Sequence, residues 1–460
     1  MSTSSTSLPS QKALGVFTLA MINVAAIVSL RNFPTMARQG LACLFFYLVA
    51  SLIFLIPAAL VCAELATMIP KNGGMYHWVK AAFGKRMAFV CVWIFWMITV
   101  SFLPALIMFI ASTTAYLFDP AWVQDSWFIL SIILCVLWGA TLVNCFGMQL
   151  SGLVSTVGVI LGTILPGALL IGLAGYWTTQ APVAFTLSWD ALIPNFDLNN
   201  LVFLAFVMLG FDGMELTALH ANDVQKPQTD YPRSIAIATV LIVTLSILGS
   251  LAIATVVPQQ EISLVAGIMQ SFKVFFEAFN MRWATNVLAV LLIIGSTAGV
   301  ATWIIGPIKG LFAAKEDGFL PKFLRTSTKK GVPIALLFFQ ALFISAISIL
   351  MLIVFSVDDA FLLFTAIPSI LICLTYILIF AAALKLRFSH ASMLRPYRVG
   401  KGNMALWIVA GTGLIGCVIA ILLNCVPPHT YTGHPVLYEA LLFGALAVLL
   451  APALFYKGLK

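Results

Sequence analysis

The chain has 460 residues, of which 62% are hydrophobic and 9% are charged, with a formal net charge of +8. Ordinary soluble domains carry roughly 25% charged residues, so this composition excludes a water-soluble fold. Membrane β-barrels are excluded as well, because their strands alternate over about ten residues, whereas the apolar runs here are long and unbroken.

Twelve membrane spans are predicted, because a helix needs roughly 20 apolar residues to cross the hydrocarbon core of a bilayer. They follow a short tail at 1–12 and cover residues 13–38, 41–69, 86–118, 126–146, 150–177, 199–221, 232–257, 281–313, 333–355, 359–386, 404–427 and 435–457. All but four of the 24 Lys and Arg residues lie on the side of the N-terminus. The positive-inside rule therefore predicts that both termini are cytoplasmic. The net positive charge is thus explained by topology and gives no support for nucleic-acid binding.

The connection between spans 7 and 8 has apolar residues at helical spacing from 262 to 279, with Gln270, Lys273 and Glu277 between them. This pattern predicts an amphipathic helix on the outer side. Two placements are open: the helix covers an external vestibule, or it lies at the lipid interface.

The first ten spans divide into two runs of five, at 13–177 and 199–386, and an odd number of crossings inverts the second run. Each run opens with an interrupted span, at Arg31-Asn32-Phe33-Pro34 in the first and at Gly210-Phe211-Asp212-Gly213 in the second. Paired interruptions in inverted halves are typical of the central site of a transporter. The alternative is that small residues only permit tight helix packing.

Unwound membrane helices expose backbone N–H and C=O groups, which a polar ligand in a cavity can satisfy. Half-helix N-termini favour a carboxylate and exposed carbonyls favour an ammonium, and an amino acid carries both groups. The predicted ligand contacts are the residues of the two breaks: Ala25, Ala26, Ile27, Val28, Ser29, Leu209, Gly210, Phe211 and Asp212.

A distinctive motif follows span 2. It consists of Ala63-Glu64-Leu65, Pro70-Lys71-Asn72-Gly73-Gly74-Met75-Tyr76-His77-Trp78 and Gly84. This motif resembles the A-E-L-x-x-x-x-P-x-x-G-G-x-Y-x-W signature of the amino acid–polyamine–organocation (APC) transporters. The segment Trp303-Ile304-Ile305-Gly306-Pro307 is similar to that of the bacterial glutamate/GABA antiporters in this superfamily.

The resemblance implies an all-α membrane protein with a LeuT-type fold and discontinuous first and sixth helices. It makes 13–177 and 199–386 the inverted repeats, with two further helices at 404–457 outside them. It also implies alternating access for amino acids.

Two residues of the motif are candidates for particular roles. The Tyr76 ring suits a closing gate, or alternatively an anchor at the membrane interface. We expect Glu64 to form a structural ion pair, with Lys71, Lys80 or Lys85 as its partner.

Two acids lie at the second break. Glu215 matches an acid that APC members usually carry there, and an acid in hydrocarbon is costly to ionise, which suits it to taking up a proton. We therefore predict a coupling role for Glu215. For Asp212 the alternatives are selection of a cationic group on the substrate, a second proton site, or a structural pair with Arg31. Arg31 is a further candidate for coupling or gating. It stands where the glutamate/GABA antiporters have an aromatic residue, so the substrate need not be glutamate or GABA.

A cation site is a further hypothesis. Many APC members without sodium coupling have a lysine in helix 5, but the matching residue here is Thr156, which cannot supply that charge. Ser296 and Thr297 provide hydroxyls where sodium-coupled relatives of this fold use them. The alternative is that these hydroxyls bond back to helical carbonyls.

Together these features predict a secondary amino acid transporter of a bacterial cytoplasmic membrane, operating as an antiporter. A proton- or sodium-coupled symporter is the alternative. A membrane-embedded enzyme is disfavoured because the five histidines form no metal-spaced pair. No cofactor, metal or nucleic-acid partner is predicted, and spans 11 and 12 either contact lipid or form a homodimer.

Overall fold

The computed structural model describes residues 15–71, 73–145, 158, 160–215, 224, 226–315, 317–328 and 332–455. Within these ranges the chain is helical and contains no β-strand. The helices of the first half are α1 (Val16–Ile27), α2 (Phe33–Ala37), α3 (Cys43–Ala50), α4 (Ile56–Met68), α5 (Met75–Phe83), α6 (Lys85–Phe118), α7 (Ser126–Cys145) and α8 (Leu165–Trp177). Those of the second half are α9 (Leu198–Gly210), α10 (Pro227–Val256), α11 (Gly267–Ala278), α12 (Arg282–Ala313), α13 (Ile334–Val354), α14 (Val357–Ser389), α15 (Asn403–Asn424) and α16 (Pro435–Phe455).

Ten helical segments of the described chain are long and apolar enough to cross a membrane. Two of them contain π-helical turns, at Ser51–Leu55 between α3 and α4 and at Ile160–Ile164 before α8. The predicted spans 1 and 6 are interrupted, as expected, and are not among the ten. The count of twelve crossings therefore stays a prediction, and the predicted tail at 1–12 lies outside the described residues.

Span 1 is interrupted without a glycine. Hydrogen bonding of α1 ends at Val28, whose N–H donates to the Val24 carbonyl, and both Val28 and Ser29 have extended backbone angles. A short 3-10 turn at Leu30–Asn32 then leads into α2. Extended angles are open to any residue, so no glycine is required here.

Span 6 is interrupted after α9, which begins at an N-cap where the Asp197 side chain accepts from the Asn200 N–H at 2.7 Å. The helix ends at Gly210, and the chain turns through Phe211 to Gly213, whose φ is 125°. A side chain disfavours that angle, so the glycine itself allows the turn.

The core lies around α6 and α14. In their most apolar windows, 94% of α6 and 78% of α14 is buried inside the protein, against 22% for α8 and for α16. The two buried helices pack against each other, and α6 also packs against α12. The interrupted spans therefore lie beside a buried centre formed by α6 and α14, while α8 and α16 lie at the periphery.

The predicted amphipathic helix on the outer side is α11. Its apolar face, including Phe272, Phe275 and Phe276, is buried in a cluster with Phe33 and Ala37 of α2. Of the two placements left open, α11 therefore covers the protein at the second half of span 1, rather than lying only against lipid.

Candidate functional site

Two adjoining cavities lie where the interrupted spans meet. The larger has a volume of about 110 Å³ and the smaller about 30 Å³. The residues that line both come from the two breaks: Ile27, Ser29, Asn32, Leu209 and Gly210. The larger space has room for several water molecules, and its wall is partly polar.

Most of the predicted contact residues lie at these cavities. Ile27, Val28, Ser29, Leu209, Gly210 and Asp212 line the larger cavity, and Phe211 lines the smaller. Ala25 and Ala26 lie in the last turn of α1, and their side chains are outside the described part.

The last residues of α1 and α9, Ile27 and Gly210, line both cavities. A helix C-terminus carries unpaired carbonyls and a negative partial charge. Convergence of two such ends makes this part of the wall suitable for an ammonium group.

Among the described residues, Asp212 is the only acidic side chain that lines either cavity, and it is 8% exposed. Its Oδ1 atom is buried without a hydrogen-bond partner among the described residues. An unpaired buried carboxylate oxygen has lost its hydrogen bonds to water. A cation or a hydrogen-bond donor that enters the cavity can replace them.

Glu215 lies at the break but lines neither cavity. It is 3% exposed, and the Tyr376 hydroxyl of α14 donates to its Oε2 atom. The Oε1 atom has no partner within the described chain. Glu215 is therefore a buried acid that is hydrogen-bonded to a helix of the buried centre and has one oxygen without a partner in the described chain.

The pair that the sequence allowed between Arg31 and Asp212 is not formed. Arg31 donates to Asn32 Oδ1 at 3.1 Å, and its guanidinium carbon lies 4.2 Å from the ring centroid of Phe102. Its Nε and Nη1 atoms have no partner in the part of the chain that is described. The 3-10 turn after the break directs Arg31 onto α6 rather than onto the second break.

The hydroxyls proposed for a cation site are only partly brought together. Ser296 lines the larger cavity beside Thr163, whereas Thr297 is not among its lining residues. Thr156 lies outside the described residues. Next to Ser296, α12 packs closely against the segment before α8, because a Cβ atom placed on Gly295 would lie 2.2 Å from the Cα of Gly162.

On the predicted cytoplasmic side, Tyr76 follows the bend at Gly73 and Gly74, whose φ values are 102° and 35°. The Tyr76 hydroxyl and the Lys80 ammonium both donate to Asp317 Oδ2, and Lys85 lies 2.9 Å from Oδ1. Burial disfavours ionised Asp317, but the hydrogen bonds from Lys80, Tyr76 and Lys85 outweigh it and hold the pKa of this carboxyl well below its usual range.

Glu64 forms the expected structural ion pair, but the predicted partners are wrong. Arg387 donates to it at 2.5 and 3.1 Å, and Arg395 lies 3.4 Å away. The Val399 N–H also donates to Glu64, at 2.7 Å. The lysines close to Glu64 in sequence are engaged elsewhere, since Lys80 and Lys85 bind Asp317.

Several site residues were missed. Phe102, Thr163 and Trp303 line the larger cavity, and Tyr376 and Asp317 bind predicted residues from distant parts of the chain. Asn32 was signalled by its position in the first interruption and Trp303 by the motif that it begins, but nothing local marks Phe102, Thr163, Tyr376 or Asp317.

Comparison with known proteins identifies the family to which this chain is similar. A family model described as amino acid permease matches residues 14–446. An uncharacterized transporter of Legionella pneumophila is 40% identical over 97% of each chain. A glutamate/gamma-aminobutyrate antiporter of Lactococcus lactis subsp. lactis is 29% identical over 92% of this chain and 87% of its own.

Among solved structures, MhsT in complex with L-phenylalanine aligns with a TM-score of 0.58 at 15% identity, over 88% of this chain and 98% of its own. That likeness concerns the fold, and it confirms the LeuT-type arrangement implied by the family resemblance. With the family model matching nearly the whole chain, the protein belongs to the amino acid permease family and is a multi-pass membrane protein.

Proposed function

We propose that this protein exchanges amino acids across a bacterial cytoplasmic membrane by alternating access. The observation that carries the proposal is the pair of adjoining cavities walled by both interrupted spans. Similarity to glutamate/gamma-aminobutyrate antiporters favours exchange.

In this proposal the substrate ammonium lies against the carbonyl ends of α1 and α9, with Asp212 as its counter-charge. Helix C-termini and a carboxylate with an unpaired oxygen both attract a cation in a site of low dielectric. The backbone N–H groups at the start of the 3-10 turn then offer donors to the carboxylate.

Glu215 is proposed as the coupling group. It is buried next to the substrate cavity without lining it, and one of its oxygens is unpartnered among the described residues. A proton on that oxygen removes a charge that the membrane interior disfavours. Tyr76 is proposed as a gating residue, because its bond to Asp317 joins α5 to the segment after α12.

Symport with a proton or sodium is the second candidate. Sodium coupling is supported by the hydroxyl of Ser296, which lines the larger cavity. Thr297 on the same helix and Thr156 are the further proposed ligands of the ion. Membrane lipid is the surrounding partner in either case. We also propose that both termini are cytoplasmic, and that α15 and α16 either contact lipid or form a homodimer.

Counterflow in proteoliposomes tests the function. Labelled amino acid should accumulate only in vesicles preloaded with unlabelled amino acid, whereas symport would give accumulation in empty vesicles under an imposed proton or sodium gradient. Absence of both would contradict the proposal.

Two glycines of α12 provide matched variants for this assay. A Cβ atom at Gly299 or at Gly306 would meet no atom within 4 Å, but Gly299 lines the larger cavity and Gly306 does not. Gly299→Leu should fill the cavity and abolish counterflow, while Gly306→Leu should retain it. Equal activity of the two variants would contradict a substrate site in this cavity.

A further inference from the structure

Arg31 is a buried guanidinium whose charge is not matched. It is 2% exposed, and Nε and Nη1 have no partner among the described residues. Its one hydrogen bond goes to a neutral oxygen, Asn32 Oδ1, and its one stacking partner is the Phe102 ring. No ion pair within 4.0 Å joins Arg31 to a carboxylate in the described ranges.

Such an arrangement is unfavourable in the free protein. Burial of a charge without a counter-ion costs several kcal/mol, and the two free nitrogens have lost hydrogen bonds to water. The other buried cation among the described residues, Arg387, is matched by Glu64. The charge of Arg31 is therefore left without a counter-ion by the described residues, and an anionic ligand could supply one.

The position of Arg31 indicates where that partner enters. Both of its identified neighbours, Asn32 and Phe102, line the larger cavity, so the guanidinium lies one side chain behind the wall. Asp212 lies on the same cavity with its own unpaired oxygen. An incoming molecule with one anionic and one cationic group can match both charges.

We propose that Arg31 is the carboxylate receptor of the central site, binding the substrate through its two free nitrogens. Arginine presents donors in a planar fork that matches a carboxylate, which suits this role better than a point charge. The inference rests on the proposed transport function and adds a selection rule to it: substrates carry a carboxylate, and amines without one are rejected. This distinguishes the chain from its relative named as a probable agmatine/putrescine antiporter, which is 23% identical.

The carboxylate can be that of the amino acid backbone or that of an acidic side chain. L-Glutamate has both, L-glutamine keeps the backbone carboxylate, GABA keeps the distal one, and putrescine has neither. If the backbone carboxylate binds Arg31, the affinities of L-glutamate and L-glutamine fall together in an Arg31 variant. If the distal carboxylate binds it, L-glutamate and GABA lose affinity together.

The test uses the full-length protein in detergent, with thermal shift and equilibrium binding for the standard amino acids, GABA and putrescine. Arg31→Met should weaken the binding of L-glutamate, and with it that of either L-glutamine or GABA, by at least about tenfold, because it removes charged hydrogen bonds. It should also raise the melting temperature of the free protein, since an uncompensated buried charge is removed. Arg31→Lys should recover binding only partly, and Arg282→Met, an exposed residue at the start of α12, should change neither quantity.

A structural role would give the opposite stability result, so an Arg31→Met protein that is destabilised or fails to fold overturns the inference. Unchanged carboxylate affinity in a folded variant does so as well. A wild-type protein that binds putrescine as well as amino acids overturns the selection rule and leaves the proposed function standing. A wild-type protein that binds none of the amino acids overturns the proposed function, and the inference with it.

Discussion

The acids at the second break differ in what surrounds them. Asp212 lines the cavity, whereas Glu215 is turned toward α14 and receives the Tyr376 hydroxyl. Neither carboxylate forms an ion pair within 4.0 Å in the described chain. In a membrane interior the neutral form of such an acid is favoured, and a proton is the simplest charge that it can exchange.

Glu215→Gln is predicted to flatten the pH dependence of uptake between pH 5 and 8 while substrate binding is retained. The amide keeps an acceptor oxygen for Tyr376 but cannot gain or lose a proton in this range. Uptake into proteoliposomes at a series of pH values measures the effect. Tyr376→Phe serves as the comparison, since it removes the hydrogen bond and leaves the acid, so its profile should shift rather than flatten. A Glu215→Gln profile that follows the wild type would rule out this proton site.

The sequence identified residues at the breaks and missed their partners, for a physical reason. Glu215 was recognisable because an acid in an apolar span is rare and costly. Tyr376, 161 residues away, has no such signal, since tyrosines are common in membrane helices. The Glu64 partners were wrongly predicted because nearby lysines seemed sufficient, whereas Arg387 is brought to Glu64 by helix packing across 323 residues.

At the scale of the elements, α5 is bound to the second half of the chain through the carboxylate of Asp317. Asp317 accepts a hydrogen bond from Tyr76 of α5 and forms ion pairs with Lys80 of α5 and Lys85 at the start of α6. The Asp317 side chain is 8% exposed, while Lys85 is 62% exposed and contributes a weaker, screened interaction. This junction joins the two halves on the predicted cytoplasmic side.

Asp317→Asn is predicted to destabilise the protein by about 1–3 kcal/mol, as expected for loss of partly screened charged hydrogen bonds. Because the folded pKa of Asp317 lies below the ordinary value of about 3.9, its contribution is complete above that value and is lost only as the pH falls through the folded pKa. The difference in melting temperature between the variant and the wild type should therefore stay constant from pH 5 to 8. A difference that disappears toward pH 5 would contradict this assignment.

The contact between α12 and the segment before α8 is a second junction between the halves. Gly158 and Gly162 face Gly295 so closely that a Cβ atom on Gly295 would lie 2.2 Å from the Cα of Gly162 and 2.6 Å from the Gly158 carbonyl oxygen. These are backbone atoms, which cannot move aside as a flexible side chain does. The backbones of the two helices are in direct contact here, as is common for small residues in membrane bundles.

Gly295→Ala is therefore predicted to destabilise the protein by about 1–3 kcal/mol through overpacking. Gly306→Ala, on the exposed side of the same helix with no atom within 4 Å of the new Cβ, should be neutral or slightly stabilising, because alanine is the better helix former. Thermal unfolding of the two variants in detergent makes the comparison. Equal melting temperatures would mean that α12 can move away from its neighbour at little cost.

For the whole molecule, hydropathy and the two breaks predicted the spans and a central site, while the LeuT-type fold was implied by the family resemblance. Apolar runs give the spans, and polar residues within them, such as Asn32 and Asp212, show where helices are interrupted. Hydropathy does not encode how far each helix is buried, and it missed the π-helical turns, which depend on packing. It did predict α11, because a helix half covered by protein has an amphipathic pattern, but the position of α11 over α2 depends on packing between distant parts of the chain.

The orientation of the molecule remains a prediction from charge, and it can be tested through the connections. Trp189 lies between α8 and α9, on the predicted outer side, and is 87% exposed. Lys401 precedes α15 on the opposite side and is also exposed. If the positive-inside rule holds, a membrane-impermeant maleimide should label Trp189→Cys in intact cells and Lys401→Cys only after permeabilisation. Five of the native cysteines are buried, and the unmodified protein gives the background of the other three. The reverse labelling pattern would place the basic connections outside, which would also invert the side assigned to the Tyr76–Asp317 junction.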